Sequence, residues 1–331
     1  MSDNPDTKIL GIDLGGTKIL TAVANAQGKM LSRDHSITPA KEGQDAVVKS
    51  ILESVGRALD QAHIVAADLI AIGLGAPGLS NPGTGILFTS PNLPGWKDVP
   101  LRDIIEKRLG RKAFLINDAN AAAIGELYFG AGRGARNFIY ITVSTGIGGG
   151  IIIDGRIYTG SIGTAGELGH MVVNDKGPQC NCGNKGCWET LASGTALARE
   201  ARQSIREGAA TSILEHADGN IEKISAESIH EAAQAGDKLA NELIARTAYY
   251  LGVGLANLIN IFNPEVIVIG GGLSNIGDML LKPAFEEAKR RAFKQAYQAV
   301  RLARAELGRN SGVLGAAAFA LEQVRIAGKV Q

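Results

Sequence analysis

The stretch KILGIDLGGTKILTAVA, residues 8–24, decides how the chain is read. Its apolar runs KILGIDL and KILTAVA have strand character and meet at Gly15-Gly16, so a β-hairpin with a glycine turn is expected. The layout returns about 130 residues later in FIYITVSTGIGGGIIID, residues 138–154. That is again a strand, a turn rich in glycine (Gly146, Gly148, Gly149, Gly150) and a strand. Two hairpins of one shape imply a duplicated architecture, although the likeness is of layout rather than of identity.

Working outward, Val48, Ile51, Leu52, Val55, Ala58, Leu59 and Ala62 recur at helical spacing over 46–63. DLIAIGLG, 68–75, reads as a buried strand entering a Gly/Pro-rich loop that runs through SNPGTGILFTSPNLPGW. AFLI, 113–116, is a short strand followed by a helix from about Ala119. Helices are expected over about 191–207, 225–235, 237–262 and 283–299, interrupted by the strand VIVIG at 266–270, with a last helix from about Gly312 to Val324. Strands alternating with helices define an α/β protein.

A chain of 331 residues is expected to form two domains. With 34 Lys+Arg against 33 Asp+Glu, it lacks the basic excess of a nucleic-acid or membrane-surface binder. The polar opening MSDNPDTK has no apolar run, so no signal peptide and a cytoplasmic location are expected. Residues 247–264 carry no formal charge, but Gly252, Gly254 and Asn257, Asn260 and Asn263 at i, i+3, i+6 suit a buried helix rather than a membrane span.

Glycine is 43 residues of the chain, well above the usual ~7 per cent, and it gathers in turns after strands, where exposed backbone N–H groups cradle phosphate. Two motifs are excluded by context. Gly16-Thr17-Lys18 reverses the Lys-Ser/Thr order of a P-loop and leads into a strand, and Gly73-x-Gly75-x-x-Gly78 contains Pro77 and opens no helix. DLGGTK (13–18), STGIGGG (144–150) and GGG (270–272) remain. Each alone is explained by a tight turn. Together, with Asp13 placed to hold hydrated Mg²⁺ and Thr17 and Thr145 placed to donate to phosphate oxygens, they form a nucleotide-binding set. In LINDANAAAIGE, Asn117 and Asp118 fall where a strand ends and a helix begins. Such a residue is either an N-cap or the general base that phosphoryl transfer to a hydroxyl requires. A helix N-terminus is expected to keep Asp118 ionised.

All three cysteines lie in one loop, Cys180-x-Cys182-x4-Cys187, with His170 ten residues before the first. Cys₃His is a closed tetrahedral zinc set, so the metal is expected to be structural. A disulfide is disfavoured in a cytoplasmic chain. Glu167 and Glu189 flank this knot. Each alone suits a solvated surface; with His170 they form a row able to read sugar hydroxyls.

GELGH at 166–170 joined to CxCGxxGCWE at 180–189, with DLGGTK and NDANAAA (117–123), resembles the ROK family of sugar kinases and repressors, of the actin/hexokinase superfamily, over essentially the whole chain. The resemblance implies a two-lobed actin-like ATPase, ribonuclease H-like fold. The small lobe would be 1–117 completed by the helix at 312–331, and the large lobe 118–311 would carry the zinc loop, with a cleft between them whose closure excludes water. It implies ATP on Asp13, Gly15, Gly16, Thr17, Lys18, Thr145, Gly146 and Gly148, with Gly271 and Gly272 on the adenosine side. Asp118 is implied as the base, and Gly78, Ser90, Asn92, Asn117, Glu167, His170 and Glu189 as sugar contacts. His170 is implied to touch both zinc and sugar. GAPG (75–78) followed by PNLPGW (91–96) resembles the bacterial glucokinase pattern, so glucose is the expected hexose, phosphorylated at its 6-hydroxyl. Family fructokinases tend to carry a histidine where this chain has Cys182. The first phosphate strand begins near Lys8, so the helix-turn-helix of the repressors is not expected. A homodimer or higher homo-oligomer is expected. An N-acetylmannosamine or N-acetylglucosamine kinase and a non-catalytic sugar sensor are the alternatives; Asp118 and the phosphate loops speak against the sensor.

Overall fold

The computed structural model describes residues 6–329. The first half runs β1 (Lys8–Leu14), β2 (Lys18–Asn25), β3 (Met30–Ile37), α1 (Gln44–Gln61), β4 (Leu69–Ala76), β5 (Leu79–Asn81), β6 (Ile86–Thr89), β7 (Lys97–Val99), α2 (Leu101–Leu109), β8 (Ala113–Asn117) and α3 (Asp118–Phe129). The second runs β9 (Phe138–Val143), β10 (Ile147–Ile153), β11 (Arg156–Ile157), α4 (Glu189–Ala192), α5 (Gly194–Arg206), α6 (Ala226–Gln234), α7 (Lys238–Phe262), β12 (Val266–Gly270), α8 (Asp278–Arg291), α9 (Lys294–Ala299), β13 (Arg301–Arg304) and α10 (Ser311–Lys329).

The first sheet has the order β3-β2-β1-β4-β8. Its first three strands form an antiparallel meander, and β4 and β8 join in parallel. The second sheet has the order β11-β10-β9-β12-β13. Counted from its own first strand, each sheet reads 3-2-1-4-5, so the duplication suggested by the two hairpins is present in the topology. The core of the first sheet packs Leu10, Ile12, Ile72 and Leu74 against Val47, Ile51 and Val55 of α1 and Leu101 and Ile105 of α2, all buried.

The other face of that sheet receives α10 at backbone distance. A Cβ on Gly11 would overlap the carbonyl of Val313, one on Gly73 that of Ala316, one on Gly125 that of Ser311, and one on Gly315 that of Ala121. Glycine lets α3 and α10 cross with their backbones touching. Gly315→Ala is therefore expected to destabilise the protein by about 1–3 kcal/mol or more through overpacking. Gly56→Ala in α1, where a Cβ meets open space, should stabilise by roughly 0.5–1 kcal/mol. Urea unfolding of the two variants checks the contrast.

The chain divides into two compact units. One holds the residues up to Tyr140, Gly150–Gly166 and those from Ala305; the other holds Ile141–Gly149 and Glu167–Arg304. The lobe boundary expected after residue 117 falls elsewhere because α3 is tied to α10 by the glycine contacts above. Three local readings are also corrected. The loop expected over 76–96 contains β5 and β6 of a small three-stranded sheet completed by β7. The helix expected over 283–299 is two helices, α8 and α9, with Ala292 extended at the break. The segment 191–207 is split between α4 and α5, Ser193 turning extended and capping the second helix through Ala196 N–H. The uncharged 247–264 segment lies largely in α7, whose C-cap is Asn263 at φ 42°. Its Asn260 accepts from Phe293 N–H at 2.9 Å. No helix among the described residues is long and apolar enough to cross a membrane.

Candidate active site and metal centre

Asn117 ends β8 and Asp118 begins α3. The capping role falls to Asn117, whose Oδ1 accepts from Ala119 N–H (2.9 Å) and Asn120 N–H (3.1 Å). Its Nδ2 donates to Gly78 O at 3.2 Å, which ties the loop after β4 to the start of the helix. Asp118 accepts from Ala119 N–H at 2.8 Å. The helix N-terminus is not the largest influence on the acidity of Asp118. Burial pushes its carboxyl above the usual range, and the hydrogen bonds from Ala119, its own N–H and Asn117 offset this only in part. A carboxylate raised toward neutrality is a stronger base.

The glycine turn of the first hairpin is closed by Gly15 N–H on Lys18 O (2.8 Å) and braced by Thr38, whose hydroxyl donates to Gly15 O at 2.7 Å. Thr17 and Lys18 are exposed at its tip. Gly16 lies against Asn92, where a Cβ would stand 2.6 Å from the Asn92 side chain. Gly78, at φ +99°, lets the chain pass the backbone of Thr89 and Ser90. The Ser90 hydroxyl is buried without a hydrogen-bond partner. The structure thus brings Gly16, Asn92, Gly78, Ser90, Asn117 and Asp118 into one connected set within the first unit. Asp13, at the end of β1, is pushed up to about 7 by burial and by the charge of Asp118.

In the second unit the turn is Ser144–Gly146; Gly148 and Gly149 already lie inside β10. Ser144 and Thr145 are exposed, and Ser144 O accepts from Gly194 N–H at the start of α5 (2.7 Å). Gly271, at φ +86°, packs on the backbone of Val143, and Gly272 faces the Ser144 hydroxyl. The second and third glycine turns are therefore adjacent. Glu189 reaches the same turn. Its Oε2 accepts from Ile147 N–H at 3.2 Å, and a Cβ on Gly146 would overlap that carboxylate.

His170, Cys180, Cys182 and Cys187 converge, with one ligand atom of each within 4.8 Å of the others. Cys180 Sγ lies 3.6 Å from His170 Nδ1, and Cys182 Sγ 3.6 Å from Cys187 Sγ. Tetrahedral zinc with Zn–S of about 2.3 Å holds its sulfurs ~3.8 Å apart, so the donor set fits the ion. As bare thiols the three are ill matched. Burial, then the neighbouring sulfurs, push Cys187 up to about 12, while the Asn184 N–H helps hold Cys182 down at about 7. Zinc would relieve this by binding all three as thiolates. With Nδ1 toward the sulfurs, the other ring nitrogen of His170 faces Glu167 Oε2 at 3.9 Å, and Glu189 Oε1 lies 3.8 Å from Nδ1.

Three contributors escaped the sequence reading. Trp188 is wholly buried, donates from Nε1 to Tyr250 O (2.8 Å) and fills the space left by Gly254, which anchors the cysteine loop on α7. Its place directly after Cys187 was a usable signal. Gly312 packs against the Asp13 carboxylate, and Glu126 is buried beneath the start of α10. No spacing in the sequence marks either.

Two sheets of one 3-2-1-4-5 order, each opening on a hairpin with a glycine turn, are the actin-like ATPase fold as sugar kinases use it. The chain belongs to the ROK family, whose model matches residues 9–323. A glucokinase of Thermotoga maritima is 37% identical over 320 residues, 97% of this chain and 99% of that one. The ROK hexokinase from Thermus thermophilus superposes with a TM-score of 0.83 at 39% identity, covering 97% of this chain and 100% of the other. A ROK family glucokinase from Streptomyces griseus, solved in complex with glucose and AMPPNP, gives 0.83 at 36% identity over 95% and 99%.

Proposed function

We propose that the chain transfers the γ-phosphoryl group of ATP to the 6-hydroxyl of glucose. The observation that carries this reading is Asp118, a half-buried carboxylate released from capping duty by Asn117 and raised in basicity by its surroundings. Relatives named as glucokinases match nearly the full chain at 37% and 39% identity, and the Streptomyces griseus enzyme carries glucose with an ATP analogue.

In this mechanism Asp118 orients the 6-hydroxyl and takes its proton as the oxygen attacks phosphorus. The N–H groups of the turns at Gly15–Gly16 and Thr145–Gly146, with the hydroxyls of Thr17 and Thr145, receive phosphate oxygens. Lys18 adds charge, Gly148 keeps the start of β10 free of side chain, and Gly271 and Gly272 serve the adenosine side. Asp13 and Asp118 repel one another, a setting that a divalent cation relieves. Asp13 would hold hydrated Mg²⁺, which supplies charge neutralisation at the phosphates. Gly78, Ser90, Asn92 and Asn117 are assigned as sugar contacts, and Glu167, His170 and Glu189 as residues that read sugar hydroxyls. His170, Cys180, Cys182 and Cys187 would hold zinc, which aims His170 without entering the reaction. The assigned setting is cytoplasmic, and the assigned assembly is a homodimer or larger homo-oligomer.

The test is the position of the phosphate in the product formed from glucose and Mg·ATP. Phosphorus–proton correlation spectroscopy should couple phosphorus to the two C6 protons. Coupling to the C1 proton would contradict the assignment.

A further inference from the structure

Glu126 lies about two turns along α3 from Asp118 and is fully buried. Its carboxylate accepts four hydrogen bonds: from Ala131 N–H (3.0 Å) and Glu306 N–H (3.1 Å) on one oxygen, and from Leu307 N–H (2.9 Å) and the Ser311 hydroxyl (2.8 Å) on the other. Three of those donors lie on the segment that leads into α10. A carboxylate offers only acceptors, so it satisfies four donors at once, whereas an amide would turn an NH₂ toward two of them. Burying a charge is costly, and the α3–α10 crossing does not need one. Gly125 and Gly315 already bring the two backbones together. What the charge does is gather the inward-facing donors of 306–311 and so place the first residues of α10. The residue after Ser311 is Gly312, which packs on the Asp13 carboxylate so closely that a Cβ there would overlap it.

We infer that Glu126 is a positioning residue for phosphoryl transfer: by anchoring the start of α10 it sets the seat of Asp13 at the phosphates. The inference rests on the glucose kinase reading and on Asp13 acting at the phosphate end.

The test compares Glu126→Gln with wild type. The variant should stay folded and keep its calorimetric glucose affinity within about twofold, while kcat falls at least about tenfold and calorimetric affinity for Mg²⁺-AMPPNP weakens about fivefold, as small misplacements at a reacting centre do. Gly312→Ala, which disturbs Asp13 directly, should give the same split. The double variant should lose no more than the worse single one, because both act through one contact. A Glu126→Gln protein that melts earlier but keeps kcat per folded molecule and its Mg²⁺-AMPPNP affinity would overturn the inference, as would additive losses in the double variant. If Glu126→Gln fails to fold, Ser311→Ala, which deletes one of the four bonds, should shift kcat the same way by less; no shift overturns the inference. Wild-type protein that releases no ADP in response to glucose would overturn the kinase reading, and this inference with it.

Discussion

Asp118→Asn yields a folded protein that binds glucose and turns over about 10²- to 10⁴-fold more slowly, the usual contribution of a general base. The substitution is conservative for structure. Asn117 holds the helix cap, and an asparagine at 118 keeps an oxygen for the Ala119 N–H that Asp118 now accepts. It also removes a cost. Because burial raises the folded pKa of Asp118, this group's contribution to stability is present at low pH and lost as pH rises through the folded value. A neutral asparagine escapes that loss, so the variant should melt no earlier than wild type at neutral pH. The wild-type rate should fall as pH is lowered through a limb lying above the ordinary carboxylate range. ADP release, glucose calorimetry and a thermal melt check the three parts. Loss of glucose binding in a folded Asp118→Asn protein would contradict the base assignment.

The second large effect concerns zinc. Cys187→Ser, or treatment with a strong chelator, should reduce bound zinc from about one ion per chain to a small fraction and weaken glucose affinity roughly 10- to 100-fold. Besides the metal, the loop is held by Trp188 on α7 and by backbone hydrogen bonds such as Cys180 N–H to Asn184 O and Gly186 N–H to Pro178 O, with little side-chain packing. Its own β pairing is two isolated bridges, Val172 with Cys187 and Gln179 with Lys185, and few of its side chains besides Cys180, Cys187 and Trp188 are buried. His170 and Glu189, two of the proposed sugar contacts, are placed by that knot, whereas Asp118 and the first glycine turn belong to the other unit. Glucose binding should therefore fail well before the first unit unfolds, with Trp188 fluorescence reporting the loosened loop. Metal-free protein with wild-type glucose affinity would contradict the role given to zinc.

What could be read from the chain, and what could not, follows physical lines. The two glycine-turn hairpins and α7 were legible because long apolar runs and turn residues announce themselves locally. The cysteine set was legible because metal ligands of one type cluster in sequence. β3 was not, because MLSRDHSI alternates half-buried and exposed positions with few apolar residues. β5, β6 and β7 span three or four residues each, too short for periodicity to separate strand from loop. The upward shift of Asp118 was not legible, because the helix N-terminus is a local cue while burial is set by distant packing. Glu126 could not be singled out at all. A glutamate in a helix ordinarily faces water, and its four donors come from sites up to 185 residues away. Asn117 and Asp118 show the same limit from the other side: adjacency offered both for the helix cap, and the hydrogen bonds give it to Asn117.

The central claim is that this chain is a glucose kinase. The most direct test is the initial rate of ADP release from Mg·ATP, measured side by side with glucose, mannose, fructose, N-acetylglucosamine and N-acetylmannosamine. Glucose should give the highest kcat/KM, with little ADP release without sugar. A higher kcat/KM for an N-acetyl sugar, or ADP release indifferent to sugar, would contradict the claim.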